Sequence, residues 1–193
     1  LPFETAFTRQ RIPYRVVGVL RFYEREEVKD VLALLSLILN PRDEVAFKRI
    51  VNKPTRGIGK TSIDKVIAAA AVQMDLREAL RNACPGFPAK GREGAARFLS
   101  LLEWSENALS VEPLGEFLHS LIERSGLAEY HRDQDQAEGG KKMLNLEQLV
   151  NAAAEYPQGL EGLVEFMEHI TLDRSLMEGE SGTDHVTLIT VHN

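Results

Sequence analysis

The sequence predicts a mainly α-helical chain whose helical body is bracketed by a short strand near each end. Three observations carry that expectation. Apolar residues recur at three-and-four spacing through most of residues 25–172, the period of one helix face. Residues 12–18 and 186–191 are instead short runs rich in β-branched side chains, the composition of strands. Two lone strands do not make a stable sheet by themselves. The chain therefore reads as a helical insertion that still carries pieces of the α/β domain it interrupts.

The elements follow in order. Ile12-Pro13-Tyr14-Arg15-Val16-Val17-Gly18 alternates and ends in glycine, as a short strand does. Residues 25–39 place Val28, Val31, Leu32, Leu35, Ile38 and Leu39 on one helical face, and Asn40-Pro41 stops the helix. Asp43 is placed to cap a second helix reaching about Val51. A turn at 52–59 follows. Thr61 or Ser62 then caps a third helix, on which Ile63, Val66, Ile67, Ala70, Ala71 and Met74 share a face. Further helices are predicted at about 75–83, 91–109, 113–125 with Gly126 as a stop, 142–155 and 160–172. Between them, 133–140 is polar and ends in glycines, which predicts a mobile loop, and 178–184 is an acidic linker. The final run, Val186-Thr187-Leu188-Ile189-Thr190-Val191, is a strand lacking the polar face that solvent exposure requires.

Composition bounds the function. At 193 residues the chain is long enough to bury a full core. No apolar run approaches the roughly 20 residues of a membrane span, and the amino end lacks a signal-peptide pattern. One cysteine, Cys84, forms no internal disulfide, which fits a reducing cytosol and predicts a cytoplasmic protein without a membrane partner. The net charge of −6 is unevenly spread: Lys and Arg outnumber Asp and Glu by 12 to 7 in residues 1–60, while 101–193 holds 5 cations against 18 acids. Residues 48–60 contain five cations (Lys48, Arg49, Lys53, Arg56, Lys60) and no acid. A local basic face of this kind binds phosphate while the acidic remainder maintains solubility. The five histidines show no metal-ligand spacing with a cysteine nearby, so no metal site is expected. Glu24, Glu26, Glu27 and Asp30 fit the first turn of a helix, whose dipole they complement, better than a pair of catalytic carboxylates. Trp104, beside Leu101 and Leu102, reads as packing.

The most informative run is Asn52-Lys53-Pro54-Thr55-Arg56-Gly57-Ile58-Gly59-Lys60-Thr61. Gly57 and Gly59 carry no Cβ and let the backbone approach a surface closely, while Ile58 between them anchors the turn in the core. Amides left free at the turn and at the start of the following helix are donors for an anion such as phosphate. With Lys53, Arg56 and Lys60 beside them, Gly57 to Thr61 read as a clamp on a nucleic-acid backbone. Gly59-Lys60-Thr61 also looks like the end of a nucleotide-binding P-loop, but that motif needs a glycine where Pro54 stands and a strand where 44–51 has a helical pattern.

With these residues in view, the chain resembles the UvrD/Rep/PcrA family of superfamily 1 DNA helicases. The resemblance lies in Ile12-Pro13-Tyr14-Arg15-Val16-Val17-Gly18, Arg21-Phe22-Tyr23-Glu24-Arg25-Glu26-Glu27-Val28-Lys29-Asp30, Asn40-Pro41-Arg42-Asp43 and Pro54-Thr55-Arg56-Gly57-Ile58-Gly59. It continues in order through Leu144-Asn145-Leu146-Glu147-Gln148-Leu149 and Val186-Thr187-Leu188-Ile189-Thr190-Val191-His192. In that family a helical subdomain, 2B, is inserted into the second RecA-like domain, 2A. The resemblance implies an amino-terminal stub of 2A at 1–39, the 2B subdomain at 40–184 and a carboxy-terminal strand of 2A at 185–193.

The family's reaction is ATP-driven 3′ to 5′ translocation on single-stranded DNA with strand separation, serving repair or replication. Its ATP and magnesium sites lie outside these residues, so the resemblance implies no cofactor and no catalytic residue here, and an inactive isolated segment. It further implies that Gly57-Ile58-Gly59 is the duplex-binding element and that Thr190 and His192 touch single-stranded DNA. Gly18-Val19, where the family usually has two glycines, and Asn193, where serine or alanine is commoner, depart from the pattern. Two other readings are a module that docks repair proteins through the acidic helices after residue 100 and a subunit of the RecB/AddA helicase-nuclease kind.

Overall fold

The structure, a computed structural model, describes residues 14–17, 22–71, 75–138, 140–178 and 186–189. Along the chain these form β1 (Tyr14–Val17), α1 (Glu26–Leu39), α2 (Glu44–Ile50), α3 (Lys60–Ala70) and α4 (Leu76–Ala83), with a 3-10 turn at Cys84–Gly86. There follow α5 (Ala89–Val111), α6 (Leu114–Ser125), α7 (Leu127–Glu138), α8 (Lys142–Ala153), α9 (Gly159–Glu178) and β2 (Val186–Ile189). Contacts divide the chain into two units, residues 26–167 and a second drawn from 1–25 and 168–193. The packing unit therefore takes in α1.

The chain is mainly helical, and α1 lies at the centre of the larger unit. Its periodicity predicts a one-sided helix, yet Leu34 and Leu37 are buried as well as Val28, Val31, Leu35 and Ile38. A helix apolar on most sides is one surrounded by others, and α1 packs against α2, α5, α7 and α8. Each fully buried leucine contributes about 1.5–3 kcal/mol. Phe47 of α2 meets Phe98 of α5 edge to face at 6.5 Å, closing one side of this core. Trp104 of α5 stacks on Phe117 of α6 at 6.0 Å and lies under the Arg124 guanidinium at 4.6 Å.

The predicted stops and starts have local causes. The Asp43 carboxylate accepts from the amide of Ala46 at 2.9 Å, capping α2, and also takes a hydrogen bond from the Ser36 hydroxyl at 2.6 Å. Asp75 caps α4 through the Glu78 amide at 2.8 Å. Gly126 ends α6 at φ +81°. One expectation fails here. Helix α3 begins at Lys60, with Gly59 rather than Thr61 or Ser62 in the cap position, because the Gly59 carbonyl accepts from both Ser62 (2.9 Å) and Ile63 (3.1 Å). It ends at Ala70, and Met74 lies outside the described residues.

The predicted loop over 133–140 is largely helix α7. Leu127, Ala128 and His131 are its buried side, and its polar remainder hides the helical period. The Asp135 carboxylate accepts from the amides of Lys142 (3.0 Å) and Met143 (2.9 Å), so α7 supplies the cap of α8. In the smaller unit, β1 and β2 pair in parallel, Tyr14 opposite Val186 and Val17 opposite Ile189. Parallel neighbours need a long crossover, here the 168 residues between Val17 and Val186.

Candidate nucleic-acid interface

The turn between α2 and α3 is shaped from within. The Asn52 side-chain oxygen accepts from the amides of Arg56 (2.8 Å) and Ile58 (3.1 Å), folding the segment back on itself. Ile58 is fully buried, the anchor its position predicts. Gly57 adopts φ +75°, which favours glycine, and a Cβ there would stand 2.8 Å from Lys90 Cγ and 3.1 Å from the Gly91 nitrogen. The fit is reciprocal. A Cβ on Gly91 would lie 2.7 Å from the Gly57 oxygen, and one on Gly94 would lie 2.0 Å from the Arg56 oxygen. The turn thus rests backbone to backbone on the first turns of α5.

Three sequence assignments change in this geometry. Arg56 does not face solvent: it is 7% exposed, and its guanidinium donates to the carbonyls of Lys53 (2.6 Å), Ser125 (2.8 Å) and Ile50 (2.9 Å) while lying over the Phe98 ring at 5.2 Å. Burial, with a smaller repulsion from Arg97, lowers its pKa to about 10, so it stays charged at neutral pH and the carbonyl dipoles compensate it. Lys53 is likewise committed, its ammonium 2.7 Å from Asp30 Oδ2, paired with Glu26 and 5.4 Å above the Tyr130 ring. Gly59 has φ −75°, which any residue adopts, and a Cβ there would meet nothing within 4 Å. Its contribution is open space rather than an unusual backbone angle.

Gly59, Lys60 and Thr61 remain at the surface, all exposed. Lys60 and Thr61 open α3, and amides in a first turn have no acceptor one turn back in their own helix. They point outward at the positive end of the helix dipole. Lys60 and Lys65 are exposed cations on this helix, with Asp64 beside them. From α5 comes Lys90, exposed, its stem against Gly57 and, among the described residues, without an ion pair. Sequence reasoning missed Lys90. The signal was Gly91 and Gly94 three apart in a helix, where each glycine costs about 1 kcal/mol against alanine and so marks a close backbone neighbour. Thr190 and His192 lie outside the described residues.

Behind the turn lies a buried ionic cluster. Asp30 on α1 is fully buried and meets Arg49 at 2.7 Å, Lys53 at 2.7 Å and His131 Nε2 at 3.1 Å. Burial pushes the Asp30 carboxyl up, but hydrogen bonds from His131 and Lys53, with the charges of Lys53 and Arg49, hold it below its ordinary value. The ionised carboxylate only accepts, so His131 Nε2 donates. The hydrogen bond from Lys53 holds Glu26 low as well, against its partial burial. Burial pulls the Lys53 ammonium down, but its hydrogen bonds to Asp30 and Glu26 raise it overall. One residue from Glu26, the buried Glu27 accepts from the Asn145 amide at 2.6 Å. These contacts bring Glu26, Glu27 and Asp30, the turn and Asn145 together in three dimensions, fixing the turn against α1 and α7 and α1 against α8.

In sequence the chain has relatives among known proteins. Residues 2–84 match the family described as UvrD-like helicase C-terminal domain. Over 98% of its length the chain is 33% identical to DNA helicase II of Escherichia coli and 34% identical to DNA helicase II of Haemophilus influenzae, and 28% identical to ATP-dependent DNA helicase PcrA of Bacillus subtilis. It spans 28%, 27% and 27% of those proteins respectively.

Proposed function

From the match of residues 2–84 to the UvrD-like helicase C-terminal domain and the likeness to DNA helicase II and PcrA, we infer that the chain belongs to the UvrD-like helicases and is the duplex-DNA-binding and regulatory part of an ATP-dependent 3′ to 5′ helicase acting in repair or replication. On this reading residues 40–184 correspond to the inserted 2B subdomain, while 1–39 and 185–193 belong to the RecA-like domain 2A. ATP and magnesium are bound elsewhere in the parent, and the segment alone turns over no nucleotide. Thr190 and His192 contact the single strand, and the parent works in the cytoplasm.

The observation that carries the reading is the exposed start of α3 at Gly59, Lys60 and Thr61, seated beside Lys90. A phosphate approaching there meets outward amides and two flexible ammonium groups, contacts that position a backbone without reading its sequence. Arg56, Lys53 and Ile58 hold the clamp in shape from behind. Fluorescence anisotropy with labelled duplexes tests this. With two phosphates neutralised, log affinity falls against log salt with a slope of roughly −1.8, about 0.9 per phosphate. Lys60→Ala and Lys90→Ala each make it shallower by about one, equally for unrelated sequences. A slope indifferent to both variants removes the clamp from this place.

A further inference from the structure

Helices α6 and α8 approach closely at one end, where a Cβ on Gly115 would stand 2.8 Å from the Ala154 Cβ. Beside this contact lie two hollows of about 420 and 550 Å³ that share His119 and Val150 as walls, so they form one furrow. Buried Ile122 and Leu146 supply its apolar floor. Glu116 and Glu147 stand on its rim, exposed and, among the described residues, without an ion pair. Arg132, which also lines it, is 3.8 Å from Glu123. Along α6 the furrow runs from Pro113 to Glu123, about 15 Å at roughly 1.5 Å per residue. That length matches about three turns of a second helix.

The charge decides the occupant. Within the larger unit, residues 101–167 hold 4 cations against 13 acids, and a negative field repels phosphate and draws basic groups. We propose that this furrow seats a basic amphipathic helix of a partner protein. Its apolar side chains at i, i+3 or i+4 and i+7 lie on Met143, Val150 and Ala154, the apolar groups of the walls that stay accessible, and its flanking Lys or Arg residues face Glu116 and Glu147. This surface is separate from the clamp and does not rest on the DNA reading.

The probe is a fluorescein-labelled helical peptide of about 18 residues, with leucines at i, i+3, i+4 and i+7 and lysines on both flanks. A control carries glutamates in place of the lysines. The basic peptide binds the chain with salt-sensitive affinity, and the acidic one is weaker by about tenfold or more, equivalent to about 1.4 kcal/mol. The exposed double change Glu116→Lys with Glu147→Lys weakens the basic peptide by a similar factor, and Val150→Lys obstructs the furrow directly. Thermal unfolding shows that each variant remains folded, and duplex binding by each is unchanged. The proposal is overturned if neither peptide binds, if both bind alike, or if the folded variants bind the basic peptide as the unaltered chain does.

Discussion

Replacing Arg56 with methionine keeps the apolar stem over Phe98 and removes the guanidinium, which separates a structural cation from a phosphate-binding one. Three carbonyls, of Lys53, Ser125 and Ile50, lose donors at 2.6, 2.8 and 2.9 Å. Hydrogen bonds from a charged donor contribute about 1.5–3 kcal/mol each, or roughly 4.5–9 kcal/mol for three. Against that stands the relief of burying a cation: the fall in pKa from its ordinary value to about 10 corresponds to roughly 3 kcal/mol. The difference predicts a loss of roughly 1.5–6 kcal/mol in stability. Urea unfolding followed by the fluorescence of the single tryptophan, Trp104, measures it. With m near 2 kcal/mol/M, a loss of about 3 kcal/mol moves the midpoint down by about 1.5 M. The folded variant, assayed in the cold, retains the salt slope of duplex binding. A midpoint unchanged within about 0.3 M, together with a slope shallower by about one, would show that the guanidinium faces phosphate and that its assignment to the carbonyls is mistaken.

The two glycines of the turn separate in the same assays. Gly57→Val, forced to φ +75° and into Lys90 and Gly91, lowers both the urea midpoint and duplex affinity, whereas Gly59→Ala, in open space at φ −75°, changes stability by under about 0.5 kcal/mol. Asp30→Asn leaves Lys53 and Arg49 facing a neutral group and lowers stability by about 3 kcal/mol, with a smaller effect on the salt slope than Lys60→Ala. Because Asp30 and Glu26 are held below their ordinary values in the fold, their contribution is present above the unfolded carboxyl pKa of about 4 and is lost as pH falls through the lower folded values. Stability measured from pH 6 downward therefore declines less steeply in Asp30→Asn than in the unaltered chain.

Features specified by a few neighbouring residues were legible. Asp43 with Ala46, Gly126 at the end of α6 and Ile58 between two glycines each act within one turn of chain, and the sequence displays them. Helix α7 was not legible, because among the described residues its buried side is Leu127, Ala128 and His131, and its polar remainder resembles a loop. The burial of His131 depends on Asp30, a residue 101 positions away. The clamp divides along the same line. Composition counts cations but does not distinguish a guanidinium facing phosphate from one facing carbonyls. Arg56 is claimed by Ser125, 69 positions distant, and Lys53 by an aspartate on α1. Lys90 escaped notice because it enters from another helix, although the glycine pair beside it advertised the contact.

That glycine pair has a mechanical consequence. Where side chains separate two elements, their spacing follows rotamers and changes when a methyl group is gained or lost. Where Gly57 meets Gly91 and Arg56 meets Gly94 the contact is backbone to backbone, so at those points the spacing is set by bond lengths and van der Waals radii. Repacking elsewhere in the helical body then moves the turn and α5 as one piece or not at all. The seat of Gly57 beside Lys90 behaves like the jaw of a fixed gauge, with the lysine stem supplying compliance.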